Sequence, residues 1–93
     1  MGGSLDFPFA ETRDDCGDFV RTFDASVAEN ELVWHRDRED RIIKPTHETD
    51  WQFQLDNELP IIIDREIFIP AGVYHRIIKG SDSLTLSVTK IGK

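Results

Sequence analysis

The sequence contains three histidines, His35, His47 and His75, which are its clearest candidates for chemistry. An imidazole nitrogen is a good ligand for divalent transition metals and titrates near neutral pH. Asp37 follows His35 by two positions, so the two side chains share one face if this segment is extended. If His75 faces the same interior, two imidazoles and one carboxylate converge, which suits non-haem iron or a similar divalent ion and leaves coordination positions open. His35, Asp37 and His75 are therefore the predicted metal ligands.

A simpler interpretation of these residues stays open on the sequence alone. Each histidine could form a hydrogen bond at a pocket wall, and Asp37 could pair with Arg36 or Arg38, because a His-x-Asp pair is a weak pattern. His47 follows Pro45 in a predicted loop, where a solvated histidine is expected.

The elements that would position these side chains are short and rich in β-forming residues. They recur about every ten residues and are separated by turn residues, which favours a sandwich or closed barrel. The predicted strands are Asp18–Phe23, Glu31–Arg36, Asp40–Lys44, Trp51–Leu55, Leu59–Ile63, Ile67–Ile69, Tyr74–Lys79 and Leu84–Ile91. A helix is conceivable only over Ala25–Asn30, which is too short to change the class. We predict an all-β domain.

Composition narrows the possible partners. The chain has 93 residues, enough for one domain, and 39% of them are hydrophobic. Its net charge is −7, which disfavours nucleic acid and anionic membranes as partners. The single cysteine, Cys16, excludes an intramolecular disulfide, and its acidic neighbours disfavour a reactive thiolate. With neither a secretory signal nor a long apolar run in the sequence, a cytoplasmic location is expected.

The segment from Asp64 to Lys79 resembles the second sequence motif of the cupin family. That motif is Gly, five residues, Pro-x-Gly-x-x-His, and Asn four residues later; Pro70, Gly72 and His75 match it in identity and spacing. Asp64 stands where the family has Gly, and Lys79 stands where it has Asn. The resemblance implies a cupin-type double-stranded β-helix, or jelly-roll barrel, with His75 on a strand that faces the interior.

The first cupin motif, His-x-His followed after three or four residues by Glu, is only partly present. His35 matches the first histidine, Asp37 replaces the second, and Arg41 or Ile42 falls at the glutamate position. Glu39 or Asp40 could supply a fourth ligand. A guanidinium at Arg41 would repel a metal ion, so an Arg41 that points into the pocket would favour a metal-free anion site.

The resemblance implies one cupin domain over residues 1–93, with an N-terminal arm over 1–15 and the barrel over 18–91. The expected function is binding of a small polar molecule at the barrel mouth, with a divalent metal (Fe, Mn, Ni or Zn) and dioxygenase- or isomerase-like chemistry. Beside the metal ligands, the predicted ligand contacts are Arg41, Arg76, Trp34, Gln54 and Tyr74. The 2-oxoglutarate-dependent oxygenases share a His-x-Asp and distant His, but no arginine follows Gly80 here to hold their co-substrate.

Two other functions remain open at this stage. A metal-free, non-catalytic cupin could act as a small-molecule-binding or structural dimer. An interaction module that uses the acidic surface would have a plugged, apolar interior. The apolar segment Leu5–Phe9 precedes the first predicted strand, and we expect it to pack as an arm across a two-fold partner in a homodimer.

Overall fold

The computed structural model describes residues 9–15, 17–28 and 32–91 of the chain. Cys16, most of the Leu5–Phe9 segment and the first residue of the predicted Glu31–Arg36 strand lie outside these ranges. The end of the candidate helix Ala25–Asn30 lies outside them as well.

The described residues form eight β-strands and no helix, which confirms the predicted all-β class. The strands are β1 Ala10–Arg13, β2 Phe19–Phe23, β3 Asp40–Pro45, β4 Gln52–Leu55, β5 Ile61–Ile62, β6 Ile67–Ile69, β7 His75–Ile78 and β8 Leu84–Ile91. No helix in the described part of the chain is long and apolar enough to cross a membrane.

The strands form two antiparallel sheets. The larger sheet has the order β1-β2-β8-β3-β6, and the smaller has the order β5-β4-β7. β8 runs through the middle of the larger sheet because its Leu84, Leu86 and Val88 alternate with Thr85, Ser87 and Thr89, the period-two pattern of a strand with one buried face. This register directs one apolar face of the larger sheet toward the smaller sheet.

The core lies between the sheets. Its fully buried side chains include Trp51, Phe53 and Ile63 from the smaller sheet and its flanks, and Leu84 and Val88 from β8. At about 25 cal/mol per Å², each such aromatic or aliphatic group contributes on the order of 2 kcal/mol. Trp51 also donates a hydrogen bond from Nε1 to the carbonyl of Asp82, at 2.5 Å, so its one polar atom is satisfied.

Three stretches differ from the sequence-based prediction. Residues 10–13, assigned to an arm, form the edge strand β1 and pair with β2. The predicted strand at Glu31–Arg36 contributes, among its described residues, only an isolated bridge at His35. Pro45, predicted to begin a loop, is the last residue of β3, where the missing N–H of a proline costs little.

Candidate functional site

His35 and His75 lie directly opposite each other across an antiparallel bridge. The N–H of His35 donates to the carbonyl of His75 at 3.0 Å, and the N–H of His75 donates back to His35 at 2.8 Å. Residues paired in this way project their side chains on the same face. The two rings are 4.3 Å apart between centroids, edge to face.

The turn before His75 fixes the segment that carries Asp37. Gly72 has φ of +80°, a conformation that favours glycine, and its N–H donates to the carbonyl of Asp37 at 2.8 Å. The N–H of Ala71 donates to the side chain of Asp40, also at 2.8 Å. The two segments that carry the cupin-like motifs are therefore bound to each other, which places Asp37 beside His75.

Both histidine rings are held by a backbone carbonyl two residues earlier. Nδ1 of His35 lies 3.0 Å from the carbonyl of Val33, and Nδ1 of His75 lies 2.9 Å from that of Val73. A carbonyl can only accept a hydrogen bond, so each Nδ1 carries the proton. In a neutral ring Nε2 is therefore unprotonated and can bind a metal ion through its lone pair. A hydrogen bond from Nδ1 is also what orients metal-bound histidines.

The Asp37 carboxylate completes the group. Oδ2 is buried and lies 3.3 Å from Nε2 of His75, yet it has no hydrogen-bond partner among the described residues. One ligand atom from each of His35, Asp37 and His75 lies within 4.8 Å of the others. Ligands that share one ion at about 2.0–2.2 Å are roughly 3.0–3.5 Å apart, so a small contraction would let the group bind a metal.

Electrostatics disfavour the protonated form of His75. Burial lowers its pKa, and the nearby His35 and Arg41 act in the same direction, while the Val73 hydrogen bond and Asp37 oppose them. With its proton on Nδ1, a neutral His75 has a lone pair on Nε2, which lies 3.3 Å from Oδ2 of Asp37, so two hydrogen-bond acceptors lie close together. A cation between them would relieve that repulsion.

Arg41 points into the site. Its Nη1 lies 3.4 Å from Oδ1 of Asp37, and its Nε donates to Glu39 at 2.6 Å. That hydrogen bond is the main cause that lowers the pKa of Glu39. Glu39 and Asp40, the candidate fourth ligands, are thus occupied by Arg41 and Ala71, and neither belongs to the His-Asp-His group.

A cavity of about 500 Å³ adjoins this group. Apolar side chains make up most of its wall, and its polar side chains are His35, Asp37, His75, Arg41 and Arg21. The interior of the barrel is therefore open, unlike the plugged interior expected of a pure interaction module.

The other predicted ligand contacts lie elsewhere. Arg76 is on β7 between the inward-facing His75 and Ile77, so it projects from the opposite face of the sheet. There its Nε donates to Gln54 at 2.9 Å, and its guanidinium lies 4.9 Å from the centre of the Trp34 ring. Tyr74 is 44% exposed and lies beneath Arg36. A ligand-binding role for these four predicted contacts stays a prediction, on a surface separate from the cavity.

His47 is remote from the group and uses both ring nitrogens. Nδ1 donates to the carbonyl of Glu48 at 2.7 Å, and Nε2 accepts from the N–H of Thr85 at 3.1 Å. It connects the loop after β3 to β8. The exposure expected for His47 is observed, but its ring is hydrogen-bonded to protein atoms at both nitrogens.

Arg21, whose side chain lines the cavity, was not among the residues predicted from the sequence. Its position was detectable, because Arg21 lies midway between Phe19 and Phe23 on β2, and alternate residues of a strand share a face. A charged residue on an otherwise apolar strand face indicates either an ion pair or a ligand contact.

No protein-family model and no curated protein matches the sequence. Solved structures do match the fold. One is a structure of DMSP lyases, with a TM-score of 0.71 and 16% identity over 90% of this chain. Another is a cupin-2 domain protein from Shewanella frigidimarina, with a TM-score of 0.58 and 16% identity over 86% of this chain and 76% of that one. This chain has the cupin fold.

A third cupin-fold neighbour is a candidate mannose-6-phosphate isomerase from Ralstonia eutropha. It has a TM-score of 0.65 and 12% identity over 91% of this chain and 83% of that protein. The present chain spans only 46% of the length of the DMSP lyase chain. At these identities the cupin fold is shared, whereas the activities belong to the neighbours.

Proposed function

We propose that this cupin binds a divalent transition-metal ion through His35, Asp37 and His75 and takes a small polar molecule into the adjoining cavity. One observation carries the proposal: His35, Asp37 and His75 each offer a ligand atom within 4.8 Å of the other two, and the buried Oδ2 of Asp37 has no hydrogen-bond partner among the described residues. Iron, manganese, nickel and zinc all accept imidazole and carboxylate ligands.

A purely structural role explains the site less well. An ion pair between Asp37 and a protonated His75 would satisfy Oδ2, but burial lowers the pKa of His75 and disfavours that proton. With a neutral His75, the buried carboxylate oxygen of Asp37 is left without a hydrogen-bond partner among the described residues, which costs on the order of 1–3 kcal/mol. A metal ion would coordinate the ligand atoms of His35, Asp37 and His75 at once.

The three ligands leave coordination positions open toward the cavity. A divalent ion held there would act as a Lewis acid on an oxygen of the bound molecule. The carbonyls of Val33 and Val73 orient the two imidazoles, and Asp37 offsets part of the ion's charge. The DMSP lyases and the candidate isomerase among the neighbours support lyase- or isomerase-like chemistry on a small molecule, and oxidation is a further option for iron or manganese.

Calorimetry with iron(II), manganese(II), nickel(II) and zinc(II), on metal-free protein without a histidine tag, tests the proposal. We expect at least one metal to bind the wild type and His75→Ala to abolish that binding. The matched control is His47→Gln, which removes a histidine outside the site and should retain the wild-type affinity. Heat from none of the four metals would refute the metal site.

Arg41 supports a second candidate, a metal-free cupin that binds a small anion. Its guanidinium lies in the cavity beside Asp37, where it opposes a cation and attracts an anion. The variant Arg41→Met separates the two candidates. In a metal site it should strengthen metal binding several-fold, whereas in a metal-free anion site it should abolish binding of acetate or phosphate by the metal-free protein.

A further inference from the structure

The cavity contains a second guanidinium, from Arg21 on β2. Phe19, Arg21 and Phe23 share the inward face of this strand, and Arg21 pairs with the buried Leu86 of β8. Its side chain is only 17% exposed and lines the cavity. A guanidinium in such a position needs an anionic partner, because burying a charge is costly unless it is paired.

The partner that the structure provides covers only part of Arg21. Nε donates to Glu11 on the exposed edge strand β1 at 2.5 Å, and the guanidinium carbon lies 4.4 Å from the centre of the Phe9 ring. Among the described residues, the hydrogen bond of Arg21 uses Nε, and neither Nη nitrogen forms a hydrogen bond. Arg21 therefore keeps donors for a further acceptor, in the paired geometry that matches a carboxylate.

Arg41 is less available for that role. Two carboxylates, Asp37 and Glu39, already contact its guanidinium. Arg21 lies close enough to this pair that its charge contributes to the lowered pKa of Glu39. Of the two cavity arginines, Arg21 has the greater free hydrogen-bonding capacity, because one carboxylate contacts its guanidinium and two contact that of Arg41.

The net charge of the site with a divalent ion bound indicates how many negative charges a ligand carries. Two guanidinium groups, Arg21 and Arg41, face three carboxylates, Glu11, Asp37 and Glu39, which leaves one net negative charge with neutral histidines. A divalent ion converts this to one net positive charge. A ligand with a single negative charge would then neutralise the site.

The rest of the cavity wall is mainly apolar. The larger sheet contributes Phe23, Ile43, Leu86 and Val88, and the smaller sheet contributes Phe53. A cavity of about 500 Å³ admits a small molecule and no polymer. An aliphatic or otherwise apolar body would fit against these side chains.

We propose that the ligand of this cavity is a small monocarboxylate with an apolar body, whose carboxylate binds the Nη groups of Arg21. This inference rests on the proposed function for the metal, while Arg21 itself lies outside the His-Asp-His group. Arg21 is then a specificity-determining residue that selects a carboxylate over its neutral amide.

Butyrate and its neutral isostere butyramide are the probes, titrated into the full zinc-loaded chain and followed by backbone amide shifts in NMR spectra. We expect butyrate to shift cavity residues and butyramide to bind about tenfold more weakly or worse, since a charge-assisted hydrogen bond is lost. Equal affinity for the two probes, or binding of neither, would overturn the inference.

Three variants locate the effect at Arg21. Arg21→Met should weaken butyrate binding about tenfold or more and should not lower the zinc affinity. Arg65→Met is the matched control, since Arg65 pairs with Asp64 through Nε in the same way but is exposed, and it should change nothing. Glu11→Gln, on the exposed strand β1, should strengthen butyrate binding because it removes the competing carboxylate. Unchanged butyrate affinity in both Arg21→Met and Glu11→Gln would assign the carboxylate elsewhere, for example to the zinc ion.

The zinc titration itself separates the two proposals. If zinc does not bind, the proposed metal function fails, and the same probes are applied to the metal-free chain. Butyrate binding that depends on Arg21 would still support the carboxylate subsite. Equal response to butyrate and butyramide there would reject the subsite as well.

Discussion

At the scale of single residues, the buried Oδ2 of Asp37 favours a metal ion, because it lies 3.3 Å from Nε2 of His75 and has no hydrogen-bond partner among the described residues. His35 and Asp37 were identifiable because alternate residues of an extended segment share one face, and His75 because it matches the histidine of the cupin-like motif. The contact of Arg41 with Asp37 and Glu39 depends on side-chain conformations of a long, flexible residue, which the sequence pattern does not determine. Whether Asp37 would find a hydrogen-bond donor was likewise undetermined by the sequence pattern.

Asp37→Asn tests the role of this oxygen without creating a cavity. The asparagine amide can donate to Nε2 of His75, which lies 3.3 Å from Oδ2, so the metal-free variant should be at least as stable as the wild type. Metal at a hundred times its Kd should raise the free energy of unfolding of the wild type by about 2.7 kcal/mol. The variant should gain far less.

Urea denaturation with and without zinc measures both effects of Asp37→Asn. A variant that keeps the whole zinc-dependent gain would show that Asp37 is not a ligand. A metal-free variant destabilised by more than about 2 kcal/mol would show instead that the carboxylate stabilises the fold through Arg41.

At the scale of elements, strands with clear alternation were predicted closely. Ile67–Ile69 and Leu84–Ile91 have the predicted bounds, and Leu59–Ile63 shortens to Ile61–Ile62. β1 was missed because its sequence, Ala-Glu-Thr-Arg, has no apolar alternation: all four residues are exposed, and the strand exists through pairing with β2. Tertiary pairing of this kind has no local signal.

The turn between β7 and β8 contains a glycine whose replacement should be costly. A Cβ added to Gly80 would lie 2.6 Å from Cδ1 and 2.8 Å from the backbone nitrogen of the fully buried Trp51, and against the Asp50 side chain. Since a backbone atom and a core ring cannot both move away, we expect Gly80→Ala to destabilise the domain by about 2–4 kcal/mol.

Gly72→Ala is the informative comparison for that substitution. No atom lies within 4 Å of an added Cβ there, but φ is +80°, so only backbone strain of about 1–2 kcal/mol is expected. Denaturant unfolding curves for the two variants measure the difference. A Gly80→Ala variant as stable as Gly72→Ala would contradict the packing described around Trp51.

Asp50 should make the same turn sensitive to acid. The backbone N–H and the hydroxyl of Ser81 both donate to Asp50, and they hold its pKa below the ordinary 3.8. A carboxyl whose pKa is lower in the folded state stabilises the protein above the unfolded-state pKa, and that contribution is lost as pH falls below about 3.8. Asp50→Asn should therefore flatten the fall of the melting temperature between about pH 4.5 and 2.5.

Other carboxylates also titrate in that range, so a second variant is needed as a control. The pKa of Asp64 is lowered by its hydrogen bond from Arg65, but this pair is exposed and lies in a different turn. Asp64→Asn should change the acid dependence less than Asp50→Asn, because an exposed ion pair stabilises little. If the melting temperature falls with pH as steeply in Asp50→Asn as in the wild type, Asp50 does not contribute to the acid sensitivity.

At the scale of the whole molecule, the fold was predictable and the reaction is not. Period-two strands, the Pro70–Gly72 turn and His75 were enough to predict a cupin-type barrel, and neighbours of only 12–16% identity share that fold. The same barrel carries proteins named as a lyase and as a candidate isomerase. Function must therefore be argued from the site, where Arg21 and Arg41 line the same cavity as His35, Asp37 and His75.

β1 forms an edge of the larger sheet with four exposed residues, and an unpaired edge strand invites pairing with another chain. Just before it lies the apolar segment Leu5–Phe9, of which the structure describes only Phe9, packed 5.3 Å from Phe23 between ring centres. A two-fold partner would cover the edge and the segment together, so we expect a homodimer. Sedimentation at high micromolar concentration should show it, and deletion of residues 1–8 should shift the protein toward monomer. A full-length chain that sediments as a monomer would contradict this prediction, and a deletion variant that stays dimeric would place the interface on another surface.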